Sequence, residues 1–120
     1  MDLYPNRWAI HDLGSLYPNI TGHNDGQDEH MPIEESANMI IMALSYAQKT
    51  NDLSMIKQYF QEFDGWAQYL VATTLLPAEQ LSTDDFSKPI ANHTNLAAKG
   101  IIGIACVLSS LGFGLLHAAG

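Results

Sequence analysis

Apolar residues recur at helical spacing in three segments of the 120-residue chain, and the stretches between them hold the turn formers and most of the acids. Ile33, Ala37, Ile40, Ile41, Leu44 and Ala47 trace one stripe of a helix predicted from Pro32 to about Lys49. Proline suits the first turn, and Glu34 and Glu35 complement the positive end of the helix dipole. Met39, Met42, Ala43 and Tyr46 fill much of the remaining surface, so this helix is expected to show little of itself to water. Glu34 and Asn38 lie one turn apart on the same side. Thr50-Asn51-Asp52 supplies a turn and a cap for a second helix from about Leu53 to Leu75. Its predicted buried face carries Ile56, Tyr59, Phe60, Phe63, Trp66, Ala67, Leu70, Val71 and Thr74. Gly65 interrupts nothing in that pattern, although it lowers helix propensity by roughly 1 kcal/mol against alanine. Pro77 closes the helix, and so short a turn between two helices predicts an antiparallel hairpin.

Outside the hairpin the pattern changes. Tyr4, Trp8 and Ile10 stand at even spacing around Pro5, which fits an extended lead-in or a short edge strand. From His11 to His30 the punctuation is too dense for regular structure, and Gly14, Gly22 and Gly26 are expected to take left-handed or tight-turn geometry. Residues 77–93 form a second long loop, of a length that is often functional. A third helix starts at Thr94 or Asn95, with Asn92, Thr94 and Asn95 as capping candidates, and runs through Leu96, Ala97, Ile101 and Ile104. No charged residue occurs from Gly100 to Gly120, a run long enough to span a bilayer. Its glycines and serines, and the absence of a flanking basic cluster, favour a buried helix over membrane association of 100–120.

A hydrophobic fraction of 47% and a charged fraction of 15% describe one small globular domain and exclude disorder. The net charge of -8, with only five basic residues, argues against nucleic acid and anionic membrane surfaces as partners. The single Cys106 leaves no disulfide framework and no cysteine-based zinc site. Two N-glycosylation sequons, at Asn19 and Asn92, fall in loops and point to the secretory route. Met1-Asp2-Leu3-Tyr4 is no signal peptide, so a secreted protein would have its own beginning elsewhere.

Charge is not spread evenly. The stretch His11–Asn38 holds Asp12, Asp25, Asp28, Glu29, Glu34 and Glu35 together with His11, His23 and His30, and no Lys or Arg. Buried acids are costly unless paired, so such a composition feeding a helix start marks the lip of a site rather than a core. His23, Asp25, Asp28 and His30 are ligand-type residues, but the segment fails the calcium-loop spacing and lacks its twelfth-position glutamate, so no metal is expected.

Three blocks carry a family resemblance: WAIHDLGSLYPNITGHNDGQDEHMPIEESANMIIMALSYAQ, DGWAQYLV and QLSTDDFSKPIANHTNLAAKGIIGI. They resemble the central domain of the fungal glutaminase A family, from about Trp8 to Ile104, with 105–120 (CVLSSLGFGLLHAAG and the residue beside it) departing from the family's more polar continuation. The resemblance implies an all-α fold of antiparallel helical hairpins with long loops, part of an (α/α)6 six-hairpin toroid. It also implies large secreted fungal proteins, some of which hydrolyse L-glutamine to L-glutamate and ammonia, with no cofactor. A full toroid needs about twelve helices and the pattern here supplies about three or four, so residues 1–120 read as a fragment separated from the other domains of a larger chain. The apolar faces that such a fragment leaves uncovered favour self-association.

Amide hydrolysis requires an activated nucleophile, a proton donor for ammonia and clamps for the amino-acid head group. Carboxylates serve as acid and base when their surroundings push their pKa values apart. Two carboxylate pairs qualify: Glu34-Glu35 at the helix start and Asp84-Asp85 in the second loop. Neighbours on a helix point about 100° apart, so Glu34 and Glu35 are not expected to act on one atom. Glu35 and Asp84 are instead assigned to face each other across the mouth. An acid suits the substrate ammonium, and Arg7 or Lys99 the carboxylate; His11, Asp12, Asn38 and Asn95 are further substrate-binding candidates. Asp12 should point away from His11 along an extended chain. Ser36, Ser82 and Thr83 are conceivable nucleophiles, without a G-x-S-x-G or S-x-x-K setting. A carbohydrate hydrolase would use the same two carboxylates, with Trp8, Tyr17, Trp66 and Tyr69 as sugar-stacking faces.

Overall fold

The computed structural model describes residues 7–23, 28–82 and 88–118, with side chains described as far as Ser109. The fold is all-α, with helices α1 (Pro32–Thr50), α2 (Ser54–Gln58), α3 (Phe60–Thr73) and α4 (Thr94–Ala118). The described residues contain no strand, and one isolated antiparallel bridge joins Gln80 to Ile90 across the long loop.

α1 begins on Pro32 and ends at Asn51, whose left-handed conformation (φ 57°) turns the chain back. Asp52 then caps the next element, its Oδ1 accepting the Ser54 N–H at 2.8 Å. Of the predicted stripe of α1, Ile33, Ala37, Ile40, Leu44 and Ala47 are buried and Ile41 is half-buried; Ala43 is buried beside them, but Met39, Met42 and Tyr46 are exposed, so a flank of this helix faces water. The predicted helix from Leu53 to Leu75 is divided. Tyr59 leaves helical geometry (φ -110°, ψ 29°), and no residue of α2 is buried. Tyr59 and Phe60 are half exposed and have middling helix propensity, so neither packing nor backbone preference keeps the helix continuous there. α3 closes at Thr73, before Leu75 and Leu76, which are exposed.

The core lies where three helices meet. Ile33, Ala37 and Ile40 of α1, Leu70 of α3 and Leu96 of α4 form its buried centre, with Phe63, Trp66, Tyr69, Ile104 and Val107 packed around it. Two glycines let α4 approach closely. A Cβ on Gly103 would stand 3.2 Å from the Ala37 Cα and 3.0 Å from Leu70 Cδ1, while one on Gly100 would meet the Thr74 side chain. α4 continues to Ala118, yet no helix among the described residues is long and apolar enough to cross a membrane. Membrane insertion of 100–120 is therefore not supported.

Candidate active site

The site is built on the first turn of α1. Its N-cap position is Met31, which has no side-chain oxygen to offer the free N–H groups of the helix start. The cap comes from 47 residues away: Gln80 Oε1, buried, accepts the Ile33 N–H at 2.9 Å, and the Leu81 N–H donates to the His30 carbonyl at 3.0 Å. The N-terminal segment is fixed to the same turn, since the Ala9 N–H donates to Ser36 Oγ at 3.0 Å within the protein interior. Ser36 is fully buried and serves as a strut, so it is no surface nucleophile. Trp8 adds an edge contact to His30 and a tilted one, at 5.4 Å, to Tyr69 of α3.

On this frame the carboxylates converge. Glu34 is 7% exposed, and its Oε1 forms an ion pair with Lys99 Nζ of α4. Asn38 Nδ2 stands 3.5 Å from both Glu34 Oε1 and Glu35 Oε1. The expectation that the two glutamates diverge is thus too simple: their stems do leave the helix at different angles, but each is long enough to reach one amide placed three and four residues on. The second oxygen of Glu34, Oε2, is buried with no hydrogen-bond partner among the described residues. Burial pushes the Glu35 carboxyl above the ordinary range; His11 opposes the shift, Glu34 adds to it, and Asn38 and Lys99 oppose it. Glu35 therefore holds a proton more readily than a solvated glutamate.

His11 and Asp12 form the neighbouring wall. The chain bends at His11 rather than running extended, so adjacent side chains meet, with His11 Nδ1 3.4 Å from Asp12 Oδ1 and 4.0 Å from Glu29 Oε2. Asp12 Oδ2 accepts the Glu29 N–H at 2.9 Å, and Asp28 Oδ1 accepts the Asp12 N–H at 2.8 Å. The Glu29 N–H holds the Asp12 carboxyl below its usual range, with His11 helping and burial opposing. Gly14 and Gly22 take positive φ (93° and 61°), as the turn-rich pattern requires, and Gly26 lies outside the described residues.

Asp84 and Asp85, with Thr83, also lie outside the described residues. Asn95 is exposed at the start of α4, where its N–H donates to His93 Nδ1 at 3.2 Å; His93 thus takes the capping role expected of the nearby asparagines. Arg7 is exposed. No group of three or more His, Cys, Asp or Glu residues among the described residues is placed to hold a metal ion, and Asp25 is outside them. Gln80 had no role in the pattern reading; the signal that could have found it was the missing cap at Met31.

A profile of the glutaminase A six helical-hairpin domain matches residues 1–112. The chain belongs to the glutaminase A six helical-hairpin family. It is 55% identical over 101 residues to the glutaminase A of Aspergillus oryzae, an alignment covering 84% of this chain and 15% of that protein. A probable glutaminase of Arthroderma benhamiae is 32% identical over 157 residues, covering 84% of this chain and 18% of that protein. The chain therefore spans less than a fifth of the length of these glutaminase relatives. No solved structure matches it significantly.

Proposed function

We propose that this chain carries part of an amide-hydrolase site acting on L-glutamine, with Glu35 as the proton donor. The observation that carries the reading is the state of Glu35. It is a partly buried carboxyl whose pKa is raised by desolvation, on the first turn of α1, sharing Asn38 with the ion-paired Glu34. The family's glutaminases give the substrate class. In the reaction, a water oxygen bonds to the carboxamide carbon and the C–N bond breaks. Glu35 gives its proton to the departing ammonia, and a second carboxylate, assigned to Asp84, takes the proton of the water.

The test measures ammonia released from L-glutamine by the purified chain, wild type and Glu35→Gln. Removal of a general acid lowers turnover by about 10²–10⁴-fold. Release by the variant at the wild-type rate would remove Glu35 from the chemistry, and absence of release from the wild type would remove the hydrolase reading for this chain. A carbohydrate hydrolase is the second reading, favoured by the partly buried Trp8 packed on Tyr69; release of sugar from a chromogenic glycoside would select it. A non-catalytic helical piece is the third, favoured by exposed Ile101, Ile102 and Leu108 on α4, and size-exclusion chromatography reports its self-association. Both sequon asparagines, Asn19 and Asn92, are exposed, which supports passage through the secretory route and glycosylation there.

A further inference from the structure

The Glu34–Lys99 ion pair is incomplete in a way that points to a ligand. Glu34 is more than nine-tenths buried, and its carboxylate uses one oxygen for both Lys99 and Asn38. The other oxygen, Oε2, is cut off from water and has no donor among the described residues. A buried acceptor without a donor bears its full desolvation cost. Lys99 is deficient in the opposite sense. An ammonium offers three donors, Glu34 Oε1 takes one, and the Lys99 side chain keeps 27% of its surface exposed. Among the described residues the pair thus leaves one buried carboxylate oxygen without a donor, beside an ammonium whose remaining donors are open to an incoming acceptor.

We infer that the Glu34–Lys99 pair is the binding site for the head group of an α-amino acid, the ligand's ammonium going to Glu34 Oε2 and its carboxylate to Lys99 Nζ. An amino-acid zwitterion carries both charges on groups attached to one carbon, so it lies antiparallel against an ion pair and completes both partners at once. A simple amine would leave Lys99 unmatched, and a neutral amide or sugar hydroxyl would supply no charge at either end. Glu35 meets the same Asn38 amide as Glu34, and Lys99 is the only Lys or Arg in the sequence of α4.

Asn38 joins this binding end to the acid end, because its Nδ2 stands equally close to Glu34 and Glu35. A head group on Glu34 and Lys99 therefore sits beside Glu35, so Glu34 acts in recognition rather than in proton transfer. The inference rests on the amide-hydrolase reading for its choice of an amino acid as ligand.

The experiment titrates the purified chain with L-alanine, which has the head group alone, with propanamide, which has the amide alone, and with L-glutamine. Binding is followed by calorimetry and by the side-chain carboxyl resonances of Glu34 and Glu35 in labelled protein. L-Alanine and L-glutamine are expected to bind and to move the Glu34 resonance, and propanamide to do neither. Lys99→Met is expected to weaken amino-acid binding at least tenfold, and Lys99→Arg to hold it within about threefold. The Glu34 resonance in the wild-type chain keeps the test decisive if Lys99→Met does not fold. Failure of L-alanine to move that resonance, or wild-type affinity in a folded Lys99→Met, overturns the head-group site. Ammonia release with unchanged affinity in Lys99→Met would leave the hydrolase reading standing and remove this one. Amino-acid binding lost in Lys99→Met, with no ammonia released by the wild type, would do the reverse.

Discussion

Substituting alanine for two glycines tests how closely α4 is seated. Gly65 in α3 and Gly100 in α4 are both helical, and alanine at either position gains about 0.5–1 kcal/mol from lower unfolded-state freedom and better helix propensity. Their surroundings differ. Nothing lies within 4 Å of a Cβ added at Gly65, whereas one at Gly100 would overlap Thr74 Oγ1 and stand 2.6 Å from Thr74 Cγ2. Thr74 is 2% exposed, so it has no open side to move into. Overpacking of this kind costs about 1–3 kcal/mol, and because the propensity gain is common to both variants, their difference isolates that cost. Urea unfolding followed by circular dichroism at 222 nm should place Gly65→Ala above the wild type and Gly100→Ala about 1–3 kcal/mol below Gly65→Ala. Thr74→Ala in the Gly100→Ala background should recover at least about 1 kcal/mol as a coupling energy, since Thr74 Oγ1 is buried with no hydrogen-bond partner among the described residues and little bonding is lost with it. If Gly100→Ala matched Gly65→Ala in stability, α4 would not rest against the end of α3, and the placement of Lys99 beside Glu34 would lose its structural basis.

Ser36→Ala leaves the Ala9 N–H buried without its acceptor, which should cost about 1–3 kcal/mol and speed proteolysis of the N-terminal segment relative to the wild type. Glu35→Gln removes a carboxyl whose folded-state pKa is raised. In the wild type that group favours folding below its ordinary value of 4.5, and the contribution is lost as pH rises through the folded-state value. The stability of Glu35→Gln relative to wild type should therefore increase with pH across the range just above 4.5; a difference that stayed flat in denaturation at several pH values would contradict the desolvation of Glu35.

Local features were legible in the chain, and long-range ones were not. The start of α1 at Pro32, its buried stripe, the turn at Asn51 and the start of α4 at Thr94 all follow from spacing and turn chemistry within a few residues. The break at Tyr59 did not, because an apolar stripe shows which residues could be buried and not whether a partner surface is there to bury them. Met39, Met42 and Tyr46 are exposed for the same reason. At the site, Glu34 and Asn38 were visible as neighbours on one helix side, whereas the reach of Glu35 to the same Asn38 amide was not. Their chemistry depends on Lys99, which lies 65 residues away, on the Gln80 cap, and on the bend that turns His11 towards Glu29. Only close packing of α4 brings Lys99 into reach, and no periodicity within a segment encodes that.

The bonds from Leu81 to the His30 carbonyl and from Ile33 to Gln80 join chain positions about fifty residues apart, which makes α1, α2 and α3 a closed ring. Backbone continuity at the exposed Asn51 turn is then redundant for holding the ring in register, so that turn is the place where the chain should best accept a cut or an inserted segment. α4 is attached differently, by packing and by the Lys99–Glu34 pair. The ring thus carries Glu34 and Glu35 and α4 delivers Lys99, so the proposed head-group site would form only once α4 has docked.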